Sequence, residues 1–313
     1  MAKEFLPKKL PKAKIAVSIL AAALALYIVF SKMDFQKTWE VLSGASIPLL
    51  LAALIMHYAT IPIRALRWNC LMKAIKFKGS LKELTLIIFL TQFFNSILPA
   101  KLGELYRAYG AKKRYGIEIS KSLGIIFIER IFDLLVLVLL AFFSGWLFFS
   151  KDVPRIVSYS AIFGLAIIAC GIIAAIIIKN FDFRRLGFIP KKMLGFIGHF
   201  KDALRLPAHL LLPVTSYSML NWFLEVISLY FVLLSLGVRM DFWLIVFVTF
   251  ASSLLTAVPI TPAGVGAVEA GILGIFALAG IESALAFSTM LLFRIVAFWS
   301  HILLGYIVYL ANE

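Results

Sequence analysis

Arg130 and Arg294 each lie about ten residues into a long apolar run, 122–150 and 284–310, which at about 1.5 Å per residue sets them far below either end. A guanidinium at that depth in hydrocarbon needs an acidic partner, a wet cavity or an anionic ligand. Each arginine also follows a Pro/Gly break at nearly the same distance: Pro99 precedes Arg130 by 31 residues and Pro262 precedes Arg294 by 32. The first break reads Asn95-Ser-Ile-Leu-Pro99-Ala-Lys101-Leu-Gly103-Glu104-Leu-Tyr-Arg107, and the second Val258-Pro259-Ile-Thr-Pro262-Ala-Gly264-Val-Gly266-Ala-Val-Glu269. The chain therefore reads as two copies of one device.

Proline removes a backbone donor and glycine accepts unusual dihedrals, so one helix stops and another starts at each break. A helix start offers unpaired N–H groups and the positive end of its dipole, both suited to an anion such as phosphate. Either the breaks bind such a group or they are turns that pack two hairpins. On the first alternative Asn95, Pro99, Lys101, Gly103, Glu104, Arg107, Arg130, Pro262, Gly264, Gly266, Glu269 and Arg294 are the substrate-binding candidates. Asp133 stands one turn from Arg130, as its partner or as a proton carrier. Arg294 has no acid within a turn, which leaves Glu269, Glu225 or a ligand phosphate as its partner.

Glu104 and Glu269 occupy similar places after the breaks and read as helix caps or arginine partners. Glu225, inside the apolar run 208–236, is a second proton-carrier candidate, with a structural hydrogen bond as the alternative. His301 falls on the helical face of Arg294, whereas His57 sits alone in its segment. Neither histidine, nor Cys70 or Cys170, has metal-ligand spacing, so no metal and no cofactor are expected.

The elements that must position these groups follow from composition. With 62% hydrophobic and 15% charged residues among 313, the chain has more apolar surface than a soluble domain can hide. Long helix-like runs at 15–30, 47–63, 84–98, 122–150, 156–178, 208–236, 242–258, 266–280 and 284–310 predict an all-α polytopic membrane protein. The runs 84–98, 242–258 and 266–280 are short enough for half-helices of re-entrant hairpins. The net charge of +15 suits anchors at the cytoplasmic face and contacts with anionic lipid, and no nucleic-acid partner is expected. Five lysines from Lys3 to Lys14 ahead of run 15–30 imitate a signal peptide, but an uncleaved first helix is preferred because a matching helix recurs later.

Charge then sets the topology. Ile63 to Lys82, the segment Lys101 to Lys121 with Lys112, Lys113 and Arg114, and Lys179 to Arg205 are basic and read as cytoplasmic. All three lie inside only if 84 to about 115 enters and leaves on one side. The expectation is about six spanning helices plus two re-entrant hairpins, with halves 1–150 and 156–313 in opposite orientation and both termini cytoplasmic in the cell membrane. Residues 190–206 read as an amphipathic helix on the inner leaflet.

These residues resemble the flippase-like membrane domain of the lysylphosphatidylglycerol synthase family. The resemblance is carried by Arg64-Ala-Leu-Arg67-Trp68, Asn95 to Arg107, Glu129-Arg130-Ile-Phe-Asp133, Thr261 to Glu269 and Arg294. It implies movement of a phospholipid or related lipid phosphate between leaflets, and for a chain ending at Glu313 it does not imply synthase activity. An intramembrane transferase acting on a lipid phosphate, with Glu104 or Glu269 as base, is the alternative. A non-catalytic subunit of a lipid-modifying enzyme is another, and a homo-oligomer stays open.

Overall fold

The computed structural model describes residues 24–312 apart from 25, 78, 99–100, 150–154, 184–189, 205–206 and 258–263. The N-terminal lysines, Pro99, Pro259, Thr261 and Pro262 therefore lie outside the described residues. Within them the backbone is α-helix with short 3-10 turns and one π turn, and no strand. In hydrocarbon only intrasegment bonds or a closed barrel satisfy the backbone, and this chain uses the first solution. Ile47–Ile75, Ala208–Ser235 and Ser283–Leu310 are long and apolar enough to cross a membrane.

The first helices refine the apolar-run reading. A short helix α1, Phe35–Ser43, occupies what reads as a connection, because the Asp34 side chain accepts from the Lys37 amide at 3.1 Å and starts it. Helix α2 then runs Ile47–Met72, with proline in its first turn and a second, Pro62, in its interior. The basic segment from Ile63 is thus not a loop at its start. Its first ten residues are helix, and Arg67 within them is 1% exposed.

Helix α3, Leu81–Ile97, and α4, Gly103–Tyr115, form the first hairpin, followed by the 31-residue α5, Ile119–Phe149. Helices α6, Arg155–Asn180, and α7, Lys191–Ala203, lead to α8, Leu211–Ser235. Helices α9, Phe242–Ala257, and α10, Ala267–Leu278, form the second hairpin. The last long run is not one regular helix: α11, Ser283–Arg294, passes through a π turn at Ile295–Trp299 into α12, Ser300–Leu310. The π turn starts beside Arg294, and such bulges occur preferentially at functional sites. The amphipathic helix α7 packs against α5, where a Cβ on Gly124 would stand 2.6 Å from Ala203 Cβ.

Helices α2 and α8 pair antiparallel over their whole length, in the most extensive packing among the described elements. The Ser46 amide donates to Ser235 O at 2.8 Å, Ser228 Oγ to Ala53 O at 2.9 Å, and Arg64 Nε to Asn221 Oδ1 at 2.8 Å. The outer helices are exchanged across this pair, α3 packing on α12 and α9 on α5. Among the described residues the apolar core falls into three clusters. One surrounds the second hairpin with Leu229, Phe247, Ile272 and Phe287, a second joins α2, α3 and α5 through Trp68, Leu84 and Ile125, and a small third sets Phe93 and Phe94 of α3 against Tyr106 of α4.

The first hairpin closes by backbone contact. A Cβ on Gly103 would stand 2.3 Å from Thr91 O and 2.5 Å from Asn95 Oδ1, so no side chain fits between α3 and α4. Gly103→Ala should therefore cost about 1–3 kcal/mol of overpacking, read as a lower thermal unfolding temperature in detergent. Gly195→Ala, in α7 with open space around the site, should leave that temperature unchanged or raise it slightly.

Candidate functional site

Between the two hairpins the fold leaves a cavity of about 360 Å³. The C-terminal turns of the first helix of each hairpin supply matching polar walls, Gln92, Asn95 and Ser96 from α3 and Ser252, Ser253 and Thr256 from α9. Helix α2 contributes His57 and Arg64, α5 Arg130 and Asp133, and α8 Trp222 and Glu225. Lys101 lines it from the first tip, and Arg294, Phe298 and His301 from the last helix. Its wall thus carries four cationic side chains within a bundle whose outer surface is apolar.

One side of the cavity rests on a buried, charge-balanced network. Arg67 donates through Nη1 to Asp133 Oδ1 and to Ser218 Oγ at 2.8 Å, and through Nη2 to Glu129 Oε1 at 2.7 Å and Asp133 Oδ2 at 3.1 Å. Arg107 forms a two-pronged bond with Glu129, at 3.1 and 2.6 Å, and its guanidinium stacks 4.3 Å from the Trp68 ring. Arg130 Nη2 donates to Glu129 Oε1 at 2.9 Å and lies 3.4 Å from Asp133 and 3.6 Å from Glu104, which also faces Arg107 at 3.5 Å. Three arginines and three acids from α2, α4 and α5 thereby neutralise one another. Planar guanidinium forks suit such bidentate bonding, which lysine could not reproduce.

A second chain of groups runs along α2, α8 and α12. Glu225 Oε2 lies 2.9 Å from His57 Nδ1, and His57 Nε2 lies 3.3 Å from His301 Nδ1. Arg64 Nη2 reaches the other Glu225 oxygen at 3.5 Å. Every contact is satisfied if His57 donates to Glu225 and accepts from His301, whose Nδ1 also faces Ala297 O at 3.3 Å. His57 is therefore not alone in the fold, because its partners come from 168 and 244 residues away.

The second hairpin is tied more simply. Glu269 Oε1 lies 2.7 Å from Arg294 Nε, and Oε2 accepts the Gly266 amide at 2.7 Å, so the carboxylate both caps α10 and holds the arginine. Gly264 and Gly266 have φ of +69° and +89°, a backbone region that favours glycine. The Arg294 guanidinium also sits 4.3 Å from the Phe298 ring.

Among the sequence candidates, Asn95, Lys101, Arg130 and Arg294 line the cavity, as do Asp133 and Glu225. Gly103, Glu104, Arg107, Gly264, Gly266 and Glu269 stand behind it as hairpin closures, caps and ion-pair partners, with Arg107 1% exposed. Sequence reasoning missed Arg64 and Arg67 as site residues and treated them as interfacial anchors. Their spacing of three, one helical turn, was the available signal. Among the described residues no group of three or more His, Cys, Asp or Glu side chains is placed to hold a metal ion.

A helical membrane bundle with a polar, cation-lined cavity between two hairpins defines an all-α polytopic membrane protein. The chain belongs to the family described as the lysylphosphatidylglycerol synthase TM region, whose model matches residues 14–305. A UPF0104 membrane protein of Methanocaldococcus jannaschii is 37% identical over 224 residues, 71% of this chain and 94% of that one. One from Pyrococcus horikoshii is 27% identical over 327 residues, 96% of this chain and 97% of the relative. A Haloferax volcanii protein named glycosyltransferase AglD is 29% identical over 135 residues, 43% of this chain and 22% of that protein.

Proposed function

We propose that the protein moves an anionic lipid, a phospholipid or a polyprenyl or glycolipid phosphate, between the two leaflets of the cell membrane. The observation that carries this is the cavity itself, which brings Lys101, Arg130 and Arg294 from separate elements to one polar space. A headgroup phosphate fits there while its tails stay in lipid. The antiparallel pairing of α2 with α8, the second long helices of the two halves, supports repeats of opposite orientation. Such repeats let a site open to either side by rocking of one half against the other. The charge rule that favours a cytoplasmic position for the basic loops favours cytoplasmic termini as well.

The name glycosyltransferase on one relative favours a lipid-linked sugar among the cargoes. It also keeps a second reading in play, a transferase acting on a lipid phosphate alone or as a subunit beside a separate lipid-modifying enzyme. Product formation in detergent, where no leaflets exist, would favour that reading.

The test is translocation in vesicles carrying headgroup-labelled lipids whose outer-leaflet label is chemically quenched. Wild-type protein should make the inner label accessible at least about tenfold faster than the Arg130→Ala, Arg294→Ala double variant, a loss matching removal of charge-assisted phosphate bonds. Equal rates for the two would refute lipid movement through this cavity.

A further inference from the structure

Resting on the reading that the cavity takes a lipid headgroup, we infer that it selects phosphate headgroups with neutral or hydroxylated substituents and rejects those that carry an ammonium. The acids at the cavity are already committed. Asp133 is held by Arg67 and Arg130, Glu225 by His57 and Arg64, and Glu269, just behind the wall, by Arg294 and the Gly266 amide. An incoming ammonium would have to draw one of these carboxylates from its partner and leave a buried arginine or histidine uncompensated, a change that costs several kcal/mol.

Donors are in the opposite condition. Arg294 is 6% exposed and lines the cavity, yet its Nη2 has no hydrogen-bond partner among the described residues. Lys101 lines the same cavity from the first hairpin tip, and among the described residues it makes no ion pair within 4.0 Å. A buried guanidinium N–H without an acceptor is costly, and a phosphate oxygen removes that cost. Phosphate also offers acceptors to both cations at once. The neutral part of the wall suits hydroxyl groups: Ser252 and Ser253 already donate to Thr249 O, at 3.0 and 2.7 Å, so their oxygens remain as acceptors. An aminoacylated headgroup of the kind in the family's description brings a cation to a wall already rich in them, and like charges juxtaposed cost several kcal/mol.

The full chain in detergent micelles would be titrated with phosphatidylglycerol and, separately, lysylphosphatidylglycerol, with bound lipid counted by native mass spectrometry. Phosphatidylglycerol should bind the wild-type protein at least about tenfold more tightly, a difference set by the like-charge penalty. Lys101→Gly and Arg294→Met should each bring the ratio toward one. Glycine suits position 101, whose φ is +53°, so that variant removes the ammonium without straining the backbone. Equal or tighter binding of lysylphosphatidylglycerol by wild-type protein overturns the inference, as does an unchanged ratio in both variants. Selective binding without vesicle translocation would refute lipid movement and leave this selectivity standing. Translocation of both headgroups at equal rates would do the reverse.

Discussion

Arg67→Met should cost the fold about 3–5 kcal/mol, because it removes the arginine that Glu129 and Asp133 share and leaves the buried network with an excess negative charge. Both acids are at most 4% exposed and accept three hydrogen bonds from Arg67, which makes a fourth to Ser218. Unfolding in mixed micelles would show the loss as an earlier midpoint or as absence of folded protein. Arg67→Lys should recover only part of it, since an ammonium cannot grip two carboxylates with a planar fork. The contrast is Arg114→Ala, which breaks a bond to Glu83 at 2.9 Å between side chains that are 30% and 39% exposed. That pair is screened by solvent and its loss should leave the midpoint almost unchanged. A midpoint equally insensitive to both changes would mean that the network does not hold α2, α4 and α5 together.

Glu225→Gln should abolish any response of lipid movement to a transmembrane pH difference. Glutamine keeps the size of the side chain but offers His57 and Arg64 one acceptor oxygen in place of two, and it cannot carry a proton. The groups facing it are His57 and Arg64 from α2 and His301 from α12, with Arg130 and Asp133 of α5 lining the same cavity. Asp133, the other proton-carrier candidate, is clamped by Arg67 and Arg130, so Asp133→Asn should act mainly on stability. In vesicles with an imposed pH difference, wild-type rates should depend on its direction and the Glu225→Gln rates should not. Wild-type rates indifferent to the gradient would exclude the Glu225, His57 and His301 chain from coupling.

The two hairpins are tied unequally. Among the described residues the first hairpin joins a network of six charged side chains through Glu104 and Arg107, whereas in the second Glu269 pairs with Arg294 and caps α10 at Gly266.

How far the sequence reaches is clear from individual residues. Composition alone required helices, and the paired breaks located both hairpins, because proline and glycine act on the local backbone. Glu269 as partner of Arg294 was within reach, since few acids exist in that half. Arg67 was not. A basic stretch after an apolar run reads by the charge rule as an interfacial loop, and what reverses that reading is a pair of acids 62 and 66 residues away. His57 fails for the same reason, its partners being brought in only when α8 and α12 pack on α2. Local chemistry announces breaks and caps, and long-range pairing stays silent until the helices are assembled.

Cryo-electron microscopy of the protein in nanodiscs of phosphatidylglycerol would show whether the cavity between the hairpins receives a lipid phosphate. Phosphate density should then lie within hydrogen-bond distance of Arg294 and Lys101, with the tails leading out into the bilayer. Lipid density confined to the outer surface of the bundle, with Arg294 turned to a protein acceptor, would contradict it.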